Sequence, residues 1–183
     1  GCGLSPQSES QSVEETIPPT RHAEATQRAE NPASELPPAP MPDHELNAKN
    51  FINKPAPKFV VEEWLTKEPD RKGKMVMIDF WATWCGPCVA SIPKLNSFHR
   101  KHEDRLAVIG VSAESAETVR DHRGAKINYA LAIDPKRRMT DAIQNKYIPY
   151  IVLIDPTGVV RWQGTGSYMT EDVLDEMLDT YVK

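Results

Sequence analysis

Two cysteines separated by two residues, in the run Trp84-Cys85-Gly86-Pro87-Cys88, are the residues of this chain best suited to chemistry. A thiolate is the nucleophile of disulfide exchange, and a second sulfur within reach resolves the mixed disulfide that the first one forms. A C-x-x-C pair is also half of a tetrahedral zinc set, which needs two further ligands, usually at a short spacing of their own. The only other cysteine is Cys2, and the one short histidine pair, His99 and His102, falls on the polar end of the next helical segment. A purely structural disulfide is a third reading, although closing so short a loop removes little chain entropy. Of the three, thiol–disulfide exchange fits the local context best.

That context is set by two elements. Met75-Val76-Met77-Ile78-Asp79-Phe80-Trp81 is an apolar, strand-like run leading straight into the pair, and a helix-like segment from Cys88 through Leu95 and Phe98 follows it. The dithiol is therefore expected at a helix N-terminus, where unpaired backbone N–H groups and the positive end of the macrodipole favour a thiolate over a thiol. Pro93 interrupts the helix and is expected to bend it. Asp79 is either a buried carboxyl, whose pKa would rise, or a solvated strand acid; its apolar neighbours favour burial.

Elements alternate along the rest of the domain. Leu106 to Val111 reads as a second buried central strand, Glu114 to about His122 as a polar helix, and Tyr129 to Ile133 as a strand. A short helix from Thr140 to Lys146 and a strand after Pro149 follow. Asp155-Pro156-Thr157-Gly158 is a turn signal leading into a hairpin strand, Val159 to Gln163. Thr170, with Glu171 and Asp172 behind it, caps a last helix whose Val173, Leu174, Met177, Leu178 and Tyr181 share a face. Strands alternating with helices imply an α/β fold with a mixed sheet covered on both sides.

Composition divides the chain. Residues 1–50 contain no Phe, Tyr or Trp, hold eight of the sixteen prolines, and carry eight acids against three bases. Such a segment has too little apolar surface to offset its ordering entropy, so residues 1–49 are expected to be a disordered tether, stiffened near its end by Pro37, Pro38, Pro40 and Pro42. Residues 50–183 then form one domain; the chain from residue 51 on is nearly neutral, with 18 acids and 19 bases. No clustered Lys and Arg suggests a nucleic-acid surface, and no span is long enough to cross a membrane.

Ile78-Asp79-Phe80-Trp81-Ala82-Thr83-Trp84-Cys85-Gly86-Pro87-Cys88 resembles the active-site signature of the thioredoxin superfamily. Asp79 stands at the family's buried acid, Pro93 at its helix proline, and Ile148-Pro149-Tyr150 at the cis-proline segment that faces the dithiol. The opening Phe51 to Phe59 and the long stretch from Glu114 to Ile133 are similar to the TlpA/ResA-like branch. The resemblance implies a thioredoxin-like fold over residues 50–183, with Cys85 as nucleophile, Cys88 as resolving thiol and Asp79 as proton carrier, directly or through a water. Trp84, Gly86, Pro87, Ile148 and Pro149 would form the substrate-binding surface, with Trp64, Trp81 and Trp162 as core or support.

The implied activity is that of an extracytoplasmic thiol–disulfide oxidoreductase. It would reduce disulfides of specific client proteins, such as apocytochromes c awaiting haem, and be recharged by a membrane or periplasmic thiol donor. No cofactor beyond the redox-active Cys85–Cys88 disulfide is implied, nor any metal, and the expected state is a monomer. A disulfide oxidant or isomerase is the alternative within this class; a peroxidase fits less well, with both cysteines in one motif. From another class, a non-catalytic, chaperone-like module would use the Pro149 groove to hold extended chains. Gly1-Cys2 resembles the processed junction of bacterial lipoproteins, in which Cys2 would be lipidated and anchor the chain to a membrane; otherwise Cys2 is an accidental thiol.

Three positions depart from the family pattern. Gly110 stands where thioredoxins carry a lysine near the buried acid, which predicts an Asp79 without a cationic partner. Val89-Ala90-Ser91 lacks the charge many relatives have after the second cysteine. Tyr147, in place of the usual glycine, is expected to narrow the substrate groove.

Overall fold

In the computed structural model of the chain, residues 1–3 and 36–183 are described. Residues 4–35, most of the stretch expected to be a tether, lie outside the described residues. The chain divides into two units, 1–30 and 31–183, and everything below except Cys2 belongs to the second.

Six strands make one sheet: β1 (Glu63–Trp64), β2 (Met75–Trp81), β3 (Leu106–Ser112), β4 (Ala130–Ile133), β5 (Tyr150–Ile154) and β6 (Val160–Thr165), in the order β1-β4-β3-β2-β5-β6. β2 pairs parallel with β3, and β3 with β4; the β1–β4, β2–β5 and β5–β6 pairs are antiparallel. β2 and β3 are central and covered on both faces, which is why their sequences read as unbroken apolar runs rather than alternating ones. The helices are α1 (Gly86–Lys101), α2 (Ala116–Arg120), α3 (Arg138–Ile143) and α4 (Glu171–Tyr181). Met75 and Met77 of β2 share a core cluster with Leu95 and Phe98 of α1 and with Leu174, Met177 and Leu178 of α4. Ile78 and Phe80 belong to the other cluster, with Met139 and Ile143 of α3. The expected mixed, two-sided α/β sheet is present.

Local signals act where the sequence places them. Thr170 Oγ1 accepts from Val173 N at 3.3 Å and starts α4. The Asp155 carboxylate accepts from Thr157 N (2.8 Å) and Val159 N (3.0 Å), and Gly158 at φ +85° closes the β5–β6 hairpin. Arg161 Nε donates to the same carboxylate at 2.7 Å, forming a buried pair.

Several boundaries differ from expectation. α1 begins at Gly86, two residues before Cys88, because Cys85 itself acts as the N-cap and the first turn tolerates Pro87. The helix continues through Pro93 as one element. α2 is shorter than Glu114–His122, starting only after Ser115, whose hydroxyl accepts from Thr118 N at 3.2 Å. α3 spans Arg138–Ile143 rather than Thr140–Lys146, since Gln144 turns left-handed at φ 56°. β1, two residues long, has no periodicity to announce it.

The folded body also starts earlier than residue 50. Ala39 is buried, and Leu36 and Leu46 pack against the core. Asn53 and Ala39 exchange two hydrogen bonds: Asn53 Oδ1 accepts from Ala39 N (2.7 Å), and Asn53 Nδ2 donates to Ala39 O (2.8 Å). Lys146 N donates to Asn47 O (2.9 Å), and Gln163 Nε2 to Lys49 O (2.9 Å). Residues 36–49 therefore pack on the domain instead of belonging to a tether that ends at residue 49. A few small and aliphatic side chains, together with backbone hydrogen bonds, suffice to anchor them.

Candidate active site

β2 ends at Trp81, and the chain turns through Ala82-Thr83-Trp84 into α1, bringing Cys85 and Cys88 to the helix N-terminus as a disulfide. Cys88 N donates to Cys85 Sγ at 3.3 Å, so the first sulfur caps the helix whose dipole favours its thiolate. Both cysteines belong to an apolar cluster with Trp81, Ala82, Val119 and Ile133. Cys85 is slightly more accessible than Cys88, 5% against 1%, while Trp84, Gly86 and Pro87 around it are exposed. Ser91 Oγ donates to Cys88 O at 2.7 Å.

The loop carrying the dithiol is pinned by a carboxylate that sequence reasoning missed. Glu114 Oε2 accepts from Thr83 N (2.7 Å) and Ser112 Oγ (3.0 Å), and Oε1 accepts from Thr83 Oγ1 (2.6 Å). The available signal was an acid two residues past the end of β3, whose parallel pairing sets Ser112 beside Trp81.

Asp79 lies in the middle of β2, opposite Gly110 on β3 and Ile151 on β5, and is 1% exposed. Its Oδ1 has no hydrogen-bond partner among the described residues. Burial pushes its pKa up to about 7, and the charge of Lys94 pulls partly the other way. Gly110 does occupy the neighbouring strand, and Asp79 forms no ion pair among the described residues; the charge that acts on it comes from Lys94 on α1, directly after Pro93. Lys94 Nζ is held by Gly166 O (2.7 Å) and Met169 O (3.1 Å), between β6 and α4. Gly110 answers a packing demand: a Cβ there would lie 2.9 Å from Leu131 Cδ2 and 3.1 Å from Trp81 Nε1. Tyr129 is a further buried neighbour, its pKa raised by burial and by the Asp79 charge.

The Ile148–Pro149 peptide is cis. Ile148 packs against the cluster that holds both cysteines, and with Trp84 and Tyr147 it lines a groove of about 310 Å³. Tyr147 is 67% exposed at this groove and Trp84 74%. The other tryptophans are supports: Trp81 and Trp162 are buried, and Trp64 stacks on Phe59 at 5.7 Å between ring centres. His102 pairs with Asp175 of α4 at 3.2 Å rather than joining the dithiol. Cys2 is an exposed free thiol.

Comparison with known proteins agrees with this geometry. Residues 52–163 match the model of the AhpC/TSA family. The chain is 31% identical over 130 residues to the thiol-disulfide oxidoreductase ResA of Bacillus subtilis (strain 168), covering 68% of this chain and 72% of ResA. It is 30% identical over 131 residues to the thiol-disulfide oxidoreductase YkuV of the same organism, covering 64% of this chain and 88% of YkuV. The solution structure of a thioredoxin-like protein in its oxidised form matches with a TM-score of 0.57 at 29% identity, over 68% of this chain and 95% of that one. The chain belongs to the AhpC/TSA family, as a TlpA/ResA-like member of the thioredoxin superfamily.

Proposed function

We propose that this thiol–disulfide oxidoreductase works as a reductant of client-protein disulfides, using Cys85 and Cys88 in turn. The Cys85 thiolate attacks one sulfur of a client disulfide, and the other client sulfur leaves as a thiolate that takes up a proton. Cys88 then attacks Cys85 Sγ, releasing the second client thiol and leaving the enzyme disulfide; two electrons pass from enzyme to client. Asp79, ionised, takes the Cys88 proton in this step, and a thiol donor later restores the dithiol. The groove beside Ile148 leaves an extended client segment room to pair with the backbone there. Trp84, Gly86, Pro87 and Pro149 complete the docking surface.

One observation carries the reading: a bonded cysteine pair caps a helix at the end of the strand that buries Asp79. The Gly-Pro pair between the cysteines supports the reducing direction. We further infer an extracytoplasmic setting, clients of the apocytochrome c type, and membrane anchoring through a lipid on Cys2, whose Gly-Cys context and exposure support it. The test uses reduced protein and a disulfide-bonded client. Cys88→Ser should accumulate a covalent mixed disulfide through Cys85, and Cys85→Ser should neither trap nor turn over. Client affinity retained with no exchange in either the native protein or these variants would instead make this a binding module.

A further inference from the structure

The groove beside the dithiol has an electrostatic character that the cysteine motif does not dictate. Its lining combines the side chains of Trp84, Tyr147 and Ile148 with those of Arg137 and Lys146. Both cations are exposed. Lys136 and Arg138, on either side of Arg137, reach Glu62 at 3.4 Å and 2.8 Å, whereas neither Arg137 nor Lys146 forms an ion pair among the described residues. Arg137 also holds a left-handed backbone, φ 58°, which an arginine adopts at a cost that glycine or asparagine would lessen. The one carboxylate in the lining is Glu114, and both of its oxygens are already engaged by Thr83 and Ser112. Among the described residues, the groove thus offers two free cations and no free anion.

We propose that Arg137 and Lys146 select clients whose reactive cysteine is flanked by an acidic side chain, with an apolar neighbour lying against Trp84 and Tyr147. This rests on the exchange reaction proposed above and names the substrate class of that same site. The client is an extended segment, because a strand laid along Ile148 presents successive side chains to opposite sides. The acid adds a charge contact and speeds encounter; the exchange step itself is unchanged, with two electrons passing from the Cys85–Cys88 dithiol to the client disulfide.

The experiment is single-turnover oxidation of the pre-reduced, full chain by short peptide disulfides that differ only in Asp or Lys beside the cysteine. Exposed ion pairs of ordinary strength predict that the Asp peptide reacts roughly threefold faster at low ionic strength. That ratio should fall toward one in high salt and invert in the double variant Arg137→Glu, Lys146→Glu. If that variant does not fold, Arg137→Gln and Lys146→Gln should each lower the ratio. Equal rates for the two peptides in the native protein, or a ratio that the substitutions leave unchanged, would overturn the proposal. Hydroxyethyl disulfide, which is small and uncharged, separates the charge preference from the exchange reaction beneath it. If the native protein reduces it without discriminating between the peptides, only the charge preference fails; if it cannot reduce it, the exchange reaction fails as well.

Discussion

Replacing Asp79 by asparagine should make the protein more stable above neutral pH and leave it little changed near pH 4. The carboxyl is 1% exposed, with Oδ1 unpartnered among the described residues, and its pKa stands at about 7 against 3.8 for a free aspartate. Below 3.8 the group is protonated in both folded and unfolded chains and contributes nothing to pH dependence. Between 3.8 and about 7 the unfolded chain gives up its proton while the folded one keeps it, so stability falls as pH rises. Above about 7 both states are ionised, and the loss levels off. At about 1.4 kcal/mol for each tenfold change in proton affinity, the full penalty is on the order of 4 kcal/mol. An asparagine side chain never ionises and escapes it, while its buried amide replaces a protonated carboxyl of similar size and polarity. The assay is urea unfolding of the oxidised protein and of D79N from about pH 3 to 8.5, a range that brackets both proton affinities. Taking the difference at each pH cancels the other titrating groups. The difference should grow through the acid-to-neutral range in favour of the variant and then level off. A difference that stays flat throughout would refute the account of Asp79 as a buried, ionising carboxyl.

Three other outcomes follow from the same site. In single-turnover reduction, the rate limb that depends on ionised Asp79 should move to higher pH in Lys94→Met, because the Lys94 charge lowers the Asp79 pKa; a stopped-flow pH profile reads this directly. Gly110→Ala should destabilise the fold by about 1–3 kcal/mol through overpacking, measured by urea melt, since the added methyl meets Leu131 and Trp81. Glu114→Ala removes the acceptor shared by Thr83 and Ser112; it should cost about 1–3 kcal/mol and slow exchange at Cys85 by loosening the loop before it, seen in the same unfolding and single-turnover assays.

The sequence is most legible where one short stretch determines its own structure. The apolar β2, the dithiol and α1 are contiguous, so their order alone puts Cys85 at a helix end. The Asp155 turn is equally local, because one carboxylate collects the N–H groups of its own loop. What stays hidden depends on distant partners. Lys94 reads as an ordinary helix residue, and only the packing of α1 over β2 lets its charge act on Asp79. Glu114 reads as a helix-start acid, yet it ties together residues at the ends of β2 and β3. The packing of residues 36–49 escapes notice for a different reason. Composition averaged over the whole N-terminal stretch conceals the contacts at Leu36, Ala39 and Leu46 that hold a proline-rich strap to the core.

The central claim, that Cys85 and Cys88 form a reducing couple, is tested most directly by its reduction potential. The protein is equilibrated against defined thiol buffers and followed by the fluorescence of Trp84 and Trp81, which precede the pair in the chain. A reductant of client disulfides should give a value near that of thioredoxin, about −270 mV. A value close to the strong-oxidant end of the scale, about −120 mV, would contradict the claim and make the chain a disulfide donor.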